Sequence, residues 1–353
     1  MGSIDASKPT FGFSHRHPVL GELHGTRRGS DIVQFRGIPF ADIPARFRQS
    51  ILRTTLPQVP YDATQPGPTC PHTEALPFPD FWTGPLPPDG ILLSKPQADE
   101  FKCLNLNITA PLSAIQGGKD VPVLVFIHGG AFMVGSSSIQ VAGREIYDGL
   151  RLVEASIALG RPLVVVTINY RVGPLGFLAS SALEAYNKSF GEPVGNYGLH
   201  DQRQALEWVS NFIGGFGGDP EMITIQGGSA GGASCHFQAQ FRDTKIKRAI
   251  LSSGTTLAIG AMPISYHEEQ FNHFARKYSP TGSSDVIGDL QSIPARRFVE
   301  ETLSGFYNPV IDGDWIKGRT VTDLVDRPTS AELMIGSCAY EVSPSIEKEN
   351  GVD

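Results

Sequence analysis

The sequence predicts an α/β protein with a mostly parallel central sheet and flanking helices. Three observations carry that prediction. Two apolar runs, Val121–Ile127 (VPVLVFI) and Pro162–Tyr170 (PLVVVTINY), are continuous rather than alternating, the pattern of strands covered on both faces of a parallel sheet. Strand-like runs alternate with helix-like ones along the chain, as a parallel α/β sheet requires. Finally, Met222–Gln226 reads as a strand, with β-branched Ile223, Thr224 and Ile225 consecutive, and it runs through Gly227-Gly228-Ser229-Ala230-Gly231 into small residues that open a helix.

Composition narrows the class. The chain has 353 residues, enough for one large domain or two smaller ones. It shows no internal repeat and no clear linker, so 1–353 reads as a single domain. Apolar content of 40% and charged content of 18% fit a globular protein. A net charge of −7 argues against a nucleic-acid partner, which would favour a basic face. No apolar run is long enough for a membrane span. The first residues, MGSIDASKPTFGFSHRHPVL, lack the apolar core of a signal peptide. The chain therefore reads as cytoplasmic, or as secreted should its true start differ. Four cysteines without a C-x-x-C make neither a disulfide scaffold nor a metal site, and no motif calls for a cofactor. Asn107-Ile108-Thr109 and Asn187-Lys188-Ser189 are glycosylation sequons.

Taken in order, Val19–Ala41 reads as two short strands around a turn. Leu56–Gly90 holds ten prolines interleaved with Phe78, Phe81 and Trp82, as in a packed surface loop or a proline-rich linker. Cys70 and Cys103 bracket it. The strand Val121–Ile127 leads straight into His128-Gly129-Gly130-Ala131-Phe132. Asp201–Ile213 is an amphipathic helix with Ala205, Leu206, Val209, Phe212 and Ile213 on one face, and Asp201 suits its first turn. Phe216–Pro220 breaks that helix before the Ser229 strand. Lys247–Ser253 reads as a strand, Ser265–Tyr278 as a helix and Leu333–Cys338 as a last short strand.

A strand turning sharply into a helix through G-x-S-x-G is a nucleophile elbow. The turn strains the serine backbone and holds its oxygen out at the sheet's carboxyl edge. Alone, the motif also fits a glycine-rich turn carrying a surface serine. An acyl-transfer serine further needs N–H donors for the oxyanion, a base and an acid. His128–Ala131 follows a core strand upstream of the elbow, where glycines let backbone N–H groups face the site. Gly130, Ala131 and Ala230 are the candidate donors.

Several motifs together resemble the type-B carboxylesterases, the α/β-hydrolase family that includes cholinesterases and microbial esterases and lipases. The resemblance rests on FRGIPFA (Phe35–Ala41), CLNLN (Cys103–Asn107), FIHGGAF (Phe126–Phe132), NYRVGPLGF (Asn169–Phe177), the long stretch Asn196–Ala233, AILSSG (Ala249–Gly254) and PVIDG (Pro309–Gly313). It implies an α/β-hydrolase fold lacking its carboxyl-terminal part, a small-molecule ester substrate and Ser229 as nucleophile. It also implies Glu341 as the acid, although Val342 stands where the family usually has glycine. Gly228 departs from the family too, which often has a larger residue there. The resemblance further implies a disulfide between Cys70 and Cys103, at odds with a cytoplasmic reading. Phe81 and Trp82 line a substrate pocket in one reading and fill core in another.

The order in this architecture is serine, acid, histidine. None of the histidines, at 15, 17, 24, 72, 128, 200, 236, 267 and 273, lies beyond Glu341. By resemblance His128 is structural; His236, about two helical turns beyond Ser229, is directed away from the site, and His267 and His273 read as surface or lid residues. The sequence thus reads as a truncated esterase without its catalytic histidine. The competing reading is a catalytically inactive protein on the esterase fold, with a binding role. A serine peptidase fits the motifs less well.

Overall fold

The computed structural model describes residues 10–73, 96–117, 120–141, 144–240, 245–301, 307–318, 329 and 331–338. Glu341, Phe81 and Trp82 lie outside them. The chain opens with β1 (Thr10–His17), β2 (Gly21–Arg28) and β3 (Ile32–Pro39), then the two-residue strands β4 (Ala41–Asp42), β5 (Ile51–Leu52) and β6 (Tyr61–Asp62). Next come β7 (Asn105–Pro111), α1 (Leu112–Ile115), β8 (Val121–Ile127), the short β9 (Gln140–Val141) and β10 (Arg144–Glu145), α2 (Leu150–Ala158) and β11 (Val164–Ile168). Helices α3 (Gly173–Phe177), α4 (Ser181–Lys188) and α5 (Tyr197–Phe212) precede β12 (Gly218–Gly228), α6 (Ala230–Ala239) and β13 (Ile246–Ser252). Helices α7 (Ile264–Tyr278), α8 (Val286–Gln291) and α9 (Ala295–Glu300) and strand β14 (Glu332–Gly336) complete the described part.

The main sheet runs β1-β2-β3-β7-β11-β8-β12-β13-β14, with β6 added beside β2. Neighbours from β1 to β11 pair antiparallel, and those from β11 to β14 pair parallel. The α/β class and the parallel half carrying the elbow agree with the sequence reading. An antiparallel half extends it. Strand β11 is buried along its whole length, as its apolar run requires. Strand β8 is not: Val121, Val123, Val125 and Ile127 are buried while the residues between them are partly open. The continuous run there covers only one face fully. Strand β14 is exposed throughout, with Met334 at 68% and Ile335 at 60%. Among the described residues no helix is long and apolar enough to cross a membrane.

Three local expectations change. Helix α5 begins at Tyr197, a turn before Asp201, after Asn196 in the left-handed region at φ +50°. Asp201 is no dipole-facing first-turn residue. It is fully buried and accepts a two-pronged ion pair from Arg171, Nε to Oδ2 at 2.7 Å and Nη2 to Oδ1 at 2.8 Å. Both sequon asparagines are buried rather than displayed. Asn107 lies inside β7, and Asn187 donates to Phe47 O at 2.6 Å while accepting from the Tyr197 hydroxyl. Strand β12 starts before Pro220, but its ladder to β8 skips from Gly218 to Ile223, so the expected break survives as an irregularity.

Candidate active site

The parallel strands end in register. Ile127 pairs with both Ile168 and Gly227, Gly228 pairs with Ser252, and Ser252 with Gly336. The segments after these strands therefore emerge side by side at one edge of the sheet, the edge where open α/β sheets hold their sites.

Ser229 makes the turn from β12 into α6 with φ +55° and ψ −125°, a conformation that strains any residue with a side chain. The surrounding backbone fixes it at both ends: its N–H donates to Ser252 O at 2.8 Å, and its carbonyl accepts from the Ala233 N–H at 3.0 Å. Glycines make the turn passable. A β-carbon on Gly227 would lie 2.3 Å from the Gly231 backbone, one on Gly231 2.2 Å from Ile127 O, and one on Gly254 1.9 Å from Ser229 O. Gly228 differs, because a β-carbon there would meet only Ser252 O at 3.8 Å. Ser229 itself is exposed, and its hydroxyl has no hydrogen-bond partner among the described residues.

The loop after β8 packs directly on this turn. A β-carbon on Gly129 would lie 2.5 Å from Gly228 O and 3.5 Å from Ser229 Cβ. Gly130, Ala131 and Phe132 follow with φ of +117°, +55° and +59°, curling the loop back on itself. Among the described residues the N–H groups of Gly130, Ala131 and Ala230 donate to no backbone or side-chain acceptor. Ala230 opens α6, so its N–H is one of the donors every helix leaves unpaired at its start, at the positive end of the helix dipole. A serine hydroxyl beside unengaged N–H groups is what a carbonyl needs as it becomes tetrahedral and its oxygen gains charge.

The carboxylesterase family matches residues 15–352. The chain belongs to the carboxylesterase family. It is similar to Lipase 1 of Yarrowia lipolytica, 32% identical across 94% of this chain and 65% of that protein. It is also similar to Lipase 2 of Geotrichum candidum, at 35% across 84% and 53%, and to the cholinesterase of Mus musculus, at 33% across 91% and 53%. This carboxylesterase chain therefore spans 53–65% of the length of these relatives.

All nine histidines of the chain are placed, and none bonds Ser229. His15 and His17 bond Gly215 O and Phe212 O, each at 2.8 Å. His24 pairs with Ser14 at 3.0 Å and His72 with Cys70 O at 2.8 Å. His236 bonds Thr256 Oγ1 at 3.0 Å, beyond the first turn of α6. His200 sits on α5, its pKa lowered by burial, and His273 lies edge-on to Phe274. His267 is not a surface residue. It occupies the inner face of α7 with Phe271 and Phe274, and burial pushes its pKa down to about 4. His128 is buried and stacks on Tyr170 with ring centroids 4.3 Å apart. Burial pushes its pKa down to about 4 as well, so it is neutral near pH 7.

The other expected site residues fall as follows. Glu341 is outside the described residues. Cys70 and Cys103 are both buried thiols. They lie together, since hydrogen bonding to Cys70 and burial push the Cys103 thiol well above its ordinary value. Among the described residues no group of three or more His, Cys, Asp or Glu side chains could hold a metal ion. Nothing in the composition or spacing singles out Tyr170. Its sequence signals are its place at the end of the apolar run Pro162–Tyr170 and within the NYRVGPLGF motif, neither of which assigns it a role in the site.

Proposed function

We propose that this chain carries the acyl-transfer machinery of a carboxylic ester hydrolase acting on small-molecule esters, with Ser229 as the nucleophile. The observation that carries this reading is the exposed, strained Ser229 at the start of α6, with the unengaged N–H groups of Gly130, Ala131 and Ala230 beside it. The Ser229 oxygen adds to the ester carbonyl and loses its proton to a base. The carbonyl oxygen becomes an oxyanion held by the three N–H groups. Collapse expels the alcohol, which takes up a proton, and leaves an acyl-serine. Water then adds to that acyl group and releases the acid, restoring the serine hydroxyl. Glu341 is proposed as the acid that orients the base. That several relatives are named lipases or a cholinesterase supports an ester substrate. The contact between Cys70 and Cys103 supports their pairing in an oxidising compartment.

One observation favours a second reading, an esterase-fold protein without catalysis: no histidine of this chain bonds Ser229. A fluorophosphonate probe followed by peptide mapping separates the two. Label confined to the Ser229 peptide and lost in Ser229→Ala supports the nucleophile. Absence of label at any pH leaves the binding protein as the better account.

A further inference from the structure

The loop that presents the Gly130 and Ala131 N–H groups runs through three successive residues at positive φ, and at Ala131 and Phe132, which carry side chains, that conformation is strained. Such a conformation persists only where its surroundings over-determine it. Within the loop, the Met133 and Val134 N–H groups both donate to Gly130 O, at 2.9 and 3.1 Å. Asn107 of β7 donates to Ser137 Oγ and Ser138 Oγ at the loop's far end, each at 3.2 Å, and a further grip comes from the segment after β11, which emerges beside this loop because Ile168 and Ile127 are ladder partners. The Tyr170 hydroxyl donates to His128 O at 2.8 Å, the Gly173 N–H donates to Phe132 O at 2.6 Å, and Asn169 Oδ1 accepts from the Ser137 N–H at 2.8 Å. The loop is thus held at its start, its middle and its end by one short stretch of chain.

One of these contacts, with a second inside the loop, sets the direction of a candidate oxyanion donor. A peptide unit is planar and trans, so its carbonyl and its N–H point opposite ways. The His128 Nδ1–H donates to Gly129 O at 2.8 Å. That carbonyl shares its peptide plane with the Gly130 N–H, which is therefore turned away from the imidazole and stays unengaged. The imidazole is itself held by Tyr170, whose ring stacks on it at an interplanar angle of 16° and whose hydroxyl anchors the His128 carbonyl. Both residues are 1% exposed. Burial also raises the Tyr170 pKa, so the hydroxyl remains a donor at any working pH.

We infer that Tyr170 is a positioning residue of the oxyanion hole, acting through His128 on the Gly130 N–H. The inference rests on the reading of Ser229 as nucleophile. Tyr170→Phe keeps the stacked ring and removes only the hydroxyl, leaving the His128 carbonyl unanchored and the imidazole that holds Gly129 O free to shift. Deleting an oxyanion donor outright costs about 10²–10³-fold in rate, so misdirecting one is expected to slow Ser229 labelling roughly tenfold to a hundredfold.

The test measures two things on the full chain: the second-order rate of fluorophosphonate labelling at Ser229, and hydrogen exchange by peptide. The inference expects slower labelling in Tyr170→Phe and faster exchange in the peptide spanning 128–138. Exchange in the peptide spanning 230–239 and the melting temperature should stay close to wild type. Tyr170→Leu, which loses the stack as well, should be slower still. Labelling of Tyr170→Phe within twofold of wild type overturns the inference. So does a loss of labelling accompanied by exchange rising equally across the whole chain, which marks a merely structural role. If wild-type Ser229 does not label at all, the nucleophile reading fails. The exchange data then decide the grip separately, and an unchanged 128–138 peptide refutes it.

Discussion

Asp201→Ala is the substitution whose cost the structure defines most sharply. In the native chain the Asp201 carboxylate accepts three bonds from Arg171: Nε at 2.7 Å, Nη2 at 2.8 Å and the backbone N–H at 3.0 Å. The side chains are 2% and 0% exposed. Alanine leaves the guanidinium with only its Nη1 bond to Arg48 O at 2.8 Å, and it orphans the buried Arg171 N–H. Removing one partner of a buried ion pair costs about 3–5 kcal/mol, because the other charge remains desolvated and unpaired. Against a total stability of roughly 5–15 kcal/mol, that is a large share. Asp201→Asn keeps the shape and one acceptor, so it should cost about half as much. The double variant Arg171→Met, Asp201→Leu removes both charges and should be less destabilised than Asp201→Ala alone. Urea unfolding followed by circular dichroism measures each, at low salt and at 1 M salt, where exposed pairs are screened and buried ones are not. A cost for Asp201→Ala below about 1 kcal/mol, or one that vanishes at high salt, would refute the reasoning, since that is the behaviour of a surface pair.

Three further outcomes are expected. Gly254→Ala would force a β-carbon to within 1.9 Å of Ser229 O and should destabilise the chain by at least about 2 kcal/mol, in the range of overpacking, whereas Gly228→Ala, with 3.8 Å to its nearest neighbour, should change the urea midpoint little. The pKa values of His128 and His267 are pushed down to about 4, so below the ordinary value of 6.5 the unfolded chain binds protons that the folded one does not. Stability should then fall from pH 6.5 toward pH 4 by roughly 3 kcal/mol per group; His267→Met should flatten that slope, and an unchanged slope would show that His267 titrates normally in the fold. Oxidation should join Cys70 to Cys103 and add about 3–4 kcal/mol by closing the loop between them, as peptide mapping without reduction and thermal melts would show; a bond from Cys70 to Cys235 or Cys338 would contradict the pairing.

The parts of this fold that were legible in the sequence are those where local chemistry and tertiary role coincide. β12 and Ser229 are of this kind: a β-branched run, glycines demanded by backbone approaches near 2 Å and a serine all mark one turn. Strand β11 is another, since its buried setting and its apolar letters say the same thing. Strand β7 was not legible, because Asn105, Asn107 and Thr109 look solvent-facing although each is buried and bonded to distant groups such as Pro68 O, Ser137 Oγ and Asp148 O. Asn107 and Asn187 read as sequons from their N-x-S/T tripeptides, which carry no sign that both side chains are buried. Asp201 read as a helix-start residue because its true partner, Arg171, lies in another segment that folding brings alongside. β1 is not marked in the sequence, since its two histidines are bonded to the carbonyls of Phe212 and Gly215, contacts that no periodicity encodes. In the site, the donors followed from their place after β8, but the grip of Tyr170 on His128 depends on β11 lying beside β8, which only the sheet order reveals.

The measurement that tests the nucleophile most directly is the fate of one acyl group. Mixed with a p-nitrophenyl ester, the chain should release about one equivalent of nitrophenolate slowly, faster at higher pH, because no histidine bonds Ser229 and loss of a triad member leaves only about 10³–10⁴-fold acceleration over water. Deacylation needs the same base, so the acyl group should remain on the peptide containing Ser229, and Ser229→Ala should abolish both the release and the mass increase. Rapid sustained turnover without an acyl-enzyme, or an acyl group on any other residue, would contradict the account.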